Sequence, residues 1–205
     1  MGSLAGVDHE PPAEDWDLVD WSAAYAQKLL SRLPDRWKHT AGVAELAREV
    51  AREIGLAPGL LVPAAYLHDI GYSPAAADTG FHPLDGARHL QALGLPDTIV
   101  QLVAHHTTAD AEAGERWLGD ALAEYPPAPE DLAEVLLYSD MHVGPAGEEF
   151  TIEERIAEIH SRYAEASPAS RALDRYREHI EAVDRRIEAL RLAGPVSRCR
   201  ARPGA

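Results

Sequence analysis

Four ionisable residues, His39, the adjacent pair His68 and Asp69, and Asp140, fall where helical periodicity calls for apolar side chains. Val43, Leu46, Val50 and Ile54 recur at helical spacing, and His39 lies four residues before Val43 and seven before Leu46 on the same stripe. His68 follows Leu61 by seven and Ala64 by four, and Asp69 stands in the same relation to Val62 and Ala65. Asp140 follows Leu136 by four and Ala133 by seven, so a carboxylate occupies a core position. A His-Asp dipeptide means little alone, since 10 His and 15 Asp in 205 residues give roughly 0.7 by chance. Four such groups on apolar faces mean more. Burying them is unfavourable unless something compensates, so the pattern asks for a buried metal ion at which three helices aim their ligands.

The rest of the chain supplies the helices. Periodicity predicts them at 15–32, 37–55, 58–69, 83–93, 96–106, 110–124, 129–141, 151–166 and 168–192, and strand patterns are nearly absent. Pro34, Pro58, Pro83, Pro96, Pro129 and Pro168 mark helix starts, where a fixed φ and a missing N–H are tolerated. The expected fold is all-α, a compact bundle with irregular crossings. Residues 1–14 read as a disordered leader, 15–193 as one domain with its motif core at 37–141 and C-terminal helices at 151–192, and 194–205 as a flexible tail. The acidic and basic residues interleaved over 168–192 read as a solvated face.

Charge and cysteine content narrow the partners. With 19 basic and 34 acidic residues the net charge is −15, which repels a phosphate backbone, so nucleic acid is not expected as a partner. The one cysteine, Cys199, rules out a disulfide framework and a thiolate metal site. No signal-like or membrane-length apolar run is present, which points to a cytoplasmic protein without a membrane partner.

Imidazoles and carboxylates without thiolates suit Fe, Mn, Co, Ni, Zn or Mg in a catalytic centre rather than structural zinc. A divalent ion lowers the pKa of its bound water and neutralises charge on a phosphoryl oxygen, the two needs of phosphoester hydrolysis. The competing structural reading makes the histidines hydrogen-bonded core residues and the aspartates capping groups. Further histidines extend the set. His82 precedes Pro83, with Gly86 leaving space one turn on, while His105 and His106 straddle the stripe of Ile99, Leu102 and Val103. If they turn toward Asp69, that carboxylate can bridge to a second ion. Arg36 and Lys38 beside His39, and Arg116 near Glu112, are the candidate substrate cations, since guanidinium can hold phosphate bidentately. Tyr72 is a candidate substrate contact or weak acid, with rim packing as the plain alternative. His9, His89, His142, His160 and His179 read as surface or packing residues.

The pattern His39, His68-Asp69, Asp140, carried by RWKHTAGVAELA, AAYLHDIGY and LLYSDM, resembles the HD-domain superfamily of metal-dependent phosphohydrolases. FHPLDGARHL at 81–90 and LVAHHT at 102–107 look like the extra histidine positions of its multi-metal members, and EERIAEIHSRY at 153–163 is similar to small stand-alone HD proteins. The resemblance implies that His39, His68, Asp69 and Asp140 hold a first metal, with His82, His105 and His106 as candidates for a second. It implies a metal-activated water, positioned by Asp69, acting on a small-molecule phosphoester such as a nucleotide. Thr107-Thr108-Ala109 stands where the cyclic-dinucleotide branch carries Gly-Tyr-Pro, so that branch is not matched. The same scaffold also resembles di-iron HD-type oxygenases, and a non-catalytic metal-containing binding module is a third reading.

Overall fold

Helical segments punctuated by proline and glycine give the chain its architecture. The structure, a computed structural model, describes residues 15–195; the leader before Asp15, His9, Cys199 and most of the expected tail lie outside the described residues. Ten α-helices follow in order among the described residues: α1 Asp15–Leu29, α2 Pro34–Ile54, α3 Leu61–Leu67, α4 His82–Ala92, α5 Asp97–Ala104, α6 Ala109–Glu115, α7 Gly119–Leu122, α8 Glu130–His142, α9 Ile152–Arg162 and α10 Pro168–Ala193. Strands are absent among those residues, apart from a single antiparallel bridge between Val143 and Glu149. The all-α expectation holds. None of these helices is long and apolar enough to cross a membrane.

Local chemistry sets the boundaries. Pro34, Pro83 and Pro168 occupy the first turns of α2, α4 and α10, and Pro96 and Pro129 cap α5 and α8. Thr151 and Glu154 form a capping box at the start of α9. Five expected helices are shorter than periodicity suggested: 15–32 ends at Leu29, 151–166 ends at Arg162, and three others are cut in ways that shape the site. The segment 110–124 breaks into α6 and α7 at Trp117, whose φ is 60°. The segment 58–69 ends as α3 at Leu67 and continues as a 3-10 turn over Ile70–Tyr72. The segment 96–106 ends at Ala104, releasing both histidines from the helix.

One apolar cluster runs from Leu18 to Ile187, with α2 at its centre packed on α1, α3, α8 and α10. Helix α4 lies on α5 and on the 3-10 turn. The contact of α4 with that turn is backbone on backbone. A Cβ on Gly71 would stand 2.0 Å from the His82 carbonyl oxygen, and one on Gly86 would stand 3.4 Å from Gly71 N. Gly86 therefore makes room for the Val103 side chain and the Gly71 backbone rather than for the His82 imidazole. Before α4, the buried Asp85 carboxylate accepts from the N–H groups of Asp78, Thr79 and Gly80 at 3.0 Å each, which fixes the loop that delivers His82.

Candidate metal centre

The four residues from the apolar stripes meet at one place. His39 on α2 has Nε2 3.0 Å from Asp140 Oδ1 on α8, and His68, just past α3, has Nε2 3.9 Å from the same oxygen. Asp69 turns Oδ2 toward this group, 3.3 Å from His68 Nε2 and 3.7 Å from His39 Nε2. Its other oxygen, Oδ1, faces His82 Nε2 at 3.3 Å, and His82 Nε2 stands 3.0 Å from His106 Nε2. Two donor sets result, His39–His68–Asp140 and Asp69–His82–His106, each with its donor atoms within 4.8 Å of one another. Donors about 2.0–2.2 Å from an ion stand roughly 3 Å apart in adjacent positions, so the observed separations need little adjustment. Asp69 lies between the sets with one oxygen toward each.

Hydrogen bonding settles which nitrogens are available. Nδ1 of His39, His68 and His106 donates to the carbonyls of Gly144, Ala65 and Val103 at 3.2, 2.7 and 2.7 Å. A carbonyl only accepts, so each Nδ1 carries a proton and Nε2 is the nitrogen turned toward the cluster, free to bind an ion once the ring is neutral, the arrangement found for metal-bound imidazoles. His68 Nε2 is buried without a hydrogen-bond partner. A buried nitrogen without a well-formed hydrogen bond is rare, and a cation shared with the neighbouring carboxylates removes the penalty. The donor set therefore fits a metal of the nitrogen- and oxygen-binding kind.

The electrostatics point the same way. Burial alone would raise the Asp69 carboxyl, but Arg36, then His68 and His82, hold it well below the usual carboxylate range. Asp140 is depressed in spite of its burial, chiefly by His39 and His68. Burial and the charges of its neighbours keep His82 low, so it stays a neutral ligand, and burial with His68 lowers His106. Burial opposes a charged His68, yet Asp69 and Asp140 push it up to about 9; a proton sits where two carboxylates call for a cation.

Other sequence candidates separate clearly. Arg36, three residues before His39 on α2, donates from Nη1 to Asp69 Oδ2 at 2.8 Å and lies 4.2 Å over the Tyr72 ring. The Tyr72 ring stacks on His82 at 4.0 Å, and burial with the charge of Asp69 raises its phenol, so it stays protonated. Lys38 is corrected: adjacent helical residues do not share a face, and its ammonium reaches Asp35 in solvent at 3.2 Å. His105 is corrected too, because its ring nitrogens meet Asp110 Oδ1 at 2.9 Å and the Tyr125 carbonyl at 2.7 Å, outside both donor sets. Arg116 is held by Glu112 at 2.7 Å and lies over Phe81, so Glu112 lines the cavity and Arg116 does not.

Residues that sequence reasoning passed over complete the walls. Thr107, a β-branched residue at φ 53°, donates from its hydroxyl to Asp140 Oδ2. A positive φ is costly for such a side chain, and here it aims the hydroxyl at a ligand carboxylate. Helix α9 adds Arg155, Arg162 and Tyr163 to the lining. Arg155 falls between Ile152 and Ile156 on an apolar stripe, the signal that found His39.

The HD domain family matches residues 36–166. Among curated proteins, Ribonuclease Y from Thermus thermophilus is 35% identical over 92 residues, which is 45% of this chain and 15% of that protein. Ribonuclease Y from Opitutus terrae is 35% identical over 86 residues, 38% of this chain and 16% of its own length. The similarity thus spans under a fifth of those relatives. No solved structure matches the chain significantly. With the motif residues gathered on a helical scaffold and the family match covering them all, the chain belongs to the HD-domain superfamily of metal-dependent phosphohydrolases.

Proposed function

We propose that the protein hydrolyses a phosphoester of a small molecule, a nucleotide being the leading class, with one or two divalent ions of the Fe, Mn, Co, Ni or Mg type. The observation that carries the reading is Asp69, which offers one oxygen to each of two histidine-rich donor sets on the floor of an arginine-lined cavity. His39, His68 and Asp140 would hold one ion and His82 and His106 the other, with Asp69 shared. Bound there, ions would bring a water molecule toward neutral pKa and offset charge on the phosphoryl group.

The chain's own groups do the rest. Arg36 faces the same cavity and supplies a fixed cation for a phosphoryl oxygen. Tyr72, kept protonated, donates a hydrogen bond rather than a proton. Thr107 holds Asp140 in one orientation, and the backbone carbonyls behind three of the imidazoles hold their lone pairs inward. The relatives' name speaks of RNA, but a net charge of −15 opposes a long polyanion and favours a small substrate.

Purified protein screened against phosphoesters across Mn, Co, Ni, Mg and Fe tests the reading. Activity should appear with at least one ion and vanish in Asp69→Ala while the helical circular-dichroism signal stays. Turnover unchanged in Asp69→Ala would sink the assignment. Turnover that requires oxygen and iron would replace hydrolysis with the di-iron oxygenase reading.

A further inference from the structure

Helix α9 presents one face to the cavity through Arg155, Ile159 and Arg162, at spacings of four and seven, and Tyr163 just past its end joins them. Arg155 is 5% exposed, and its Nε is buried with no hydrogen-bond partner. Its Nη1 donates to Glu158 Oε2 at 2.5 Å. Arg162, exposed at the rim, donates to both oxygens of the same carboxylate, reaching Oε2 from Nη2 at 3.1 Å. One carboxylate thus fixes two guanidiniums and neutralises one, and Arg155 also lies close enough to Asp140 to help hold that carboxyl low. The sealed Nε is out of the cavity's reach, but the guanidinium itself lines the cavity beside Arg162, and two guanidiniums that share one carboxylate draw an anion there.

We infer that Arg155 and Arg162, clamped by Glu158, are a phosphate-binding arm that selects a terminal, dianionic phosphomonoester over a phosphodiester; this rests on the phosphohydrolase reading. A monoester phosphate carries three non-bridging oxygens and up to two charges, a diester only two oxygens and one charge. The metal-ligand sets can engage two oxygens. The third exists only on a monoester, and the α9 arm offers its donors to that oxygen. Fixed, planar guanidiniums suit this role better than ammonium groups, because their donor fork matches a phosphoryl edge.

The test uses the metal-loaded full chain and calorimetric titration with two unreactive probes, inorganic phosphate and dimethyl phosphate, alongside metal analysis. Wild-type protein should bind phosphate, and Arg155→Gln should weaken it by roughly 10- to 100-fold, the loss typical of a charge-assisted hydrogen bond. Dimethyl phosphate affinity and metal content should not change. Arg162→Gln, at the exposed rim, should weaken phosphate in the same sense and covers the case in which Arg155→Gln fails to fold. Arg155→Lys should restore only part of the affinity. Undiminished phosphate binding in both glutamine variants overturns the arm, as does the absence of phosphate binding by the wild type. Equal losses for both probes overturn monoester selection. A loss that tracks metal loss shows instead that Arg155 merely supports Asp140. Phosphate binding that depends on the arm, in a protein that turns over no phosphoester, leaves the arm standing and removes the proposed function.

Discussion

Gly71→Ala is the sharpest probe of how the fold builds the metal centre. The added methyl would lie 2.0 Å from the His82 carbonyl oxygen and 2.8 Å from His82 C and Cα. Ordinary carbon contacts need about 3.5 Å, so the start of α4 must retreat by roughly 1.5 Å. All three obstructing atoms are backbone, and rotating a side chain brings no relief. His82 Nε2 is 3.3 Å from Asp69 Oδ1 and 3.0 Å from His106 Nε2, whereas metal-ligand distances tolerate only about 0.2 Å. The retreat therefore opens the Asp69–His82–His106 set and leaves His39, His68 and Asp140 in place. Overpacking of this kind costs about 1–3 kcal/mol, or roughly 2–12 °C of melting temperature for a chain of this size. Metal analysis with thermal denaturation should show a folded protein of lower melting temperature whose Asp69–His82–His106 set has lost the metal that the wild type holds there, with the His39–His68–Asp140 set still loaded. A Gly71→Ala protein with wild-type metal content and melting temperature would refute the backbone-contact argument.

Two further outcomes follow from the site. In metal-free protein the folded value of His68, about 9, exceeds its unfolded value near 6.5, so its stabilisation is complete below pH 6.5 and fades as pH rises to 9. Melting curves with chelator should fall over that window, by up to about 3 kcal/mol, and the stabilisation given by added metal should grow over it because bound imidazoles must be neutral; a metal-free protein that gains stability from pH 6.5 to 9 contradicts this. His105→Gln should keep metal content and lose about 1–2 kcal/mol through its bonds to Asp110 and Tyr125, whereas His106→Gln should lose metal from the set shared with His82; metal analysis showing the reverse would restore His105 as a ligand.

Legibility in the sequence followed how locally each property is set. His39, His68, Asp69 and Asp140 were readable because a polar residue on an apolar stripe is visible within two turns of helix, and the same test would have exposed Arg155 between Ile152 and Ile156. Lys38 was separable in principle, since it neighbours His39 and cannot share its face. Thr107 gave no signal, because its positive φ and its bond to Asp140 arise only after α5 has ended.

By itself the sequence determined that the chain is helical and that His39, His68, Asp69 and Asp140 face inward as a thiolate-free set of nitrogen and oxygen donors. Only the tertiary structure decided between His105 and His106. The two are adjacent on the same apolar run, and their roles divide because one ring is taken up by Asp110 and by a carbonyl twenty residues away, while the other is anchored on Val103 with its second nitrogen facing His82. The same holds for Asp69, whose two oxygens serve different donor sets only because Gly71 lets α4 close against the turn that follows it. Periodicity fixes which way a residue faces, but what it meets there depends on contacts between distant segments, which no local pattern encodes.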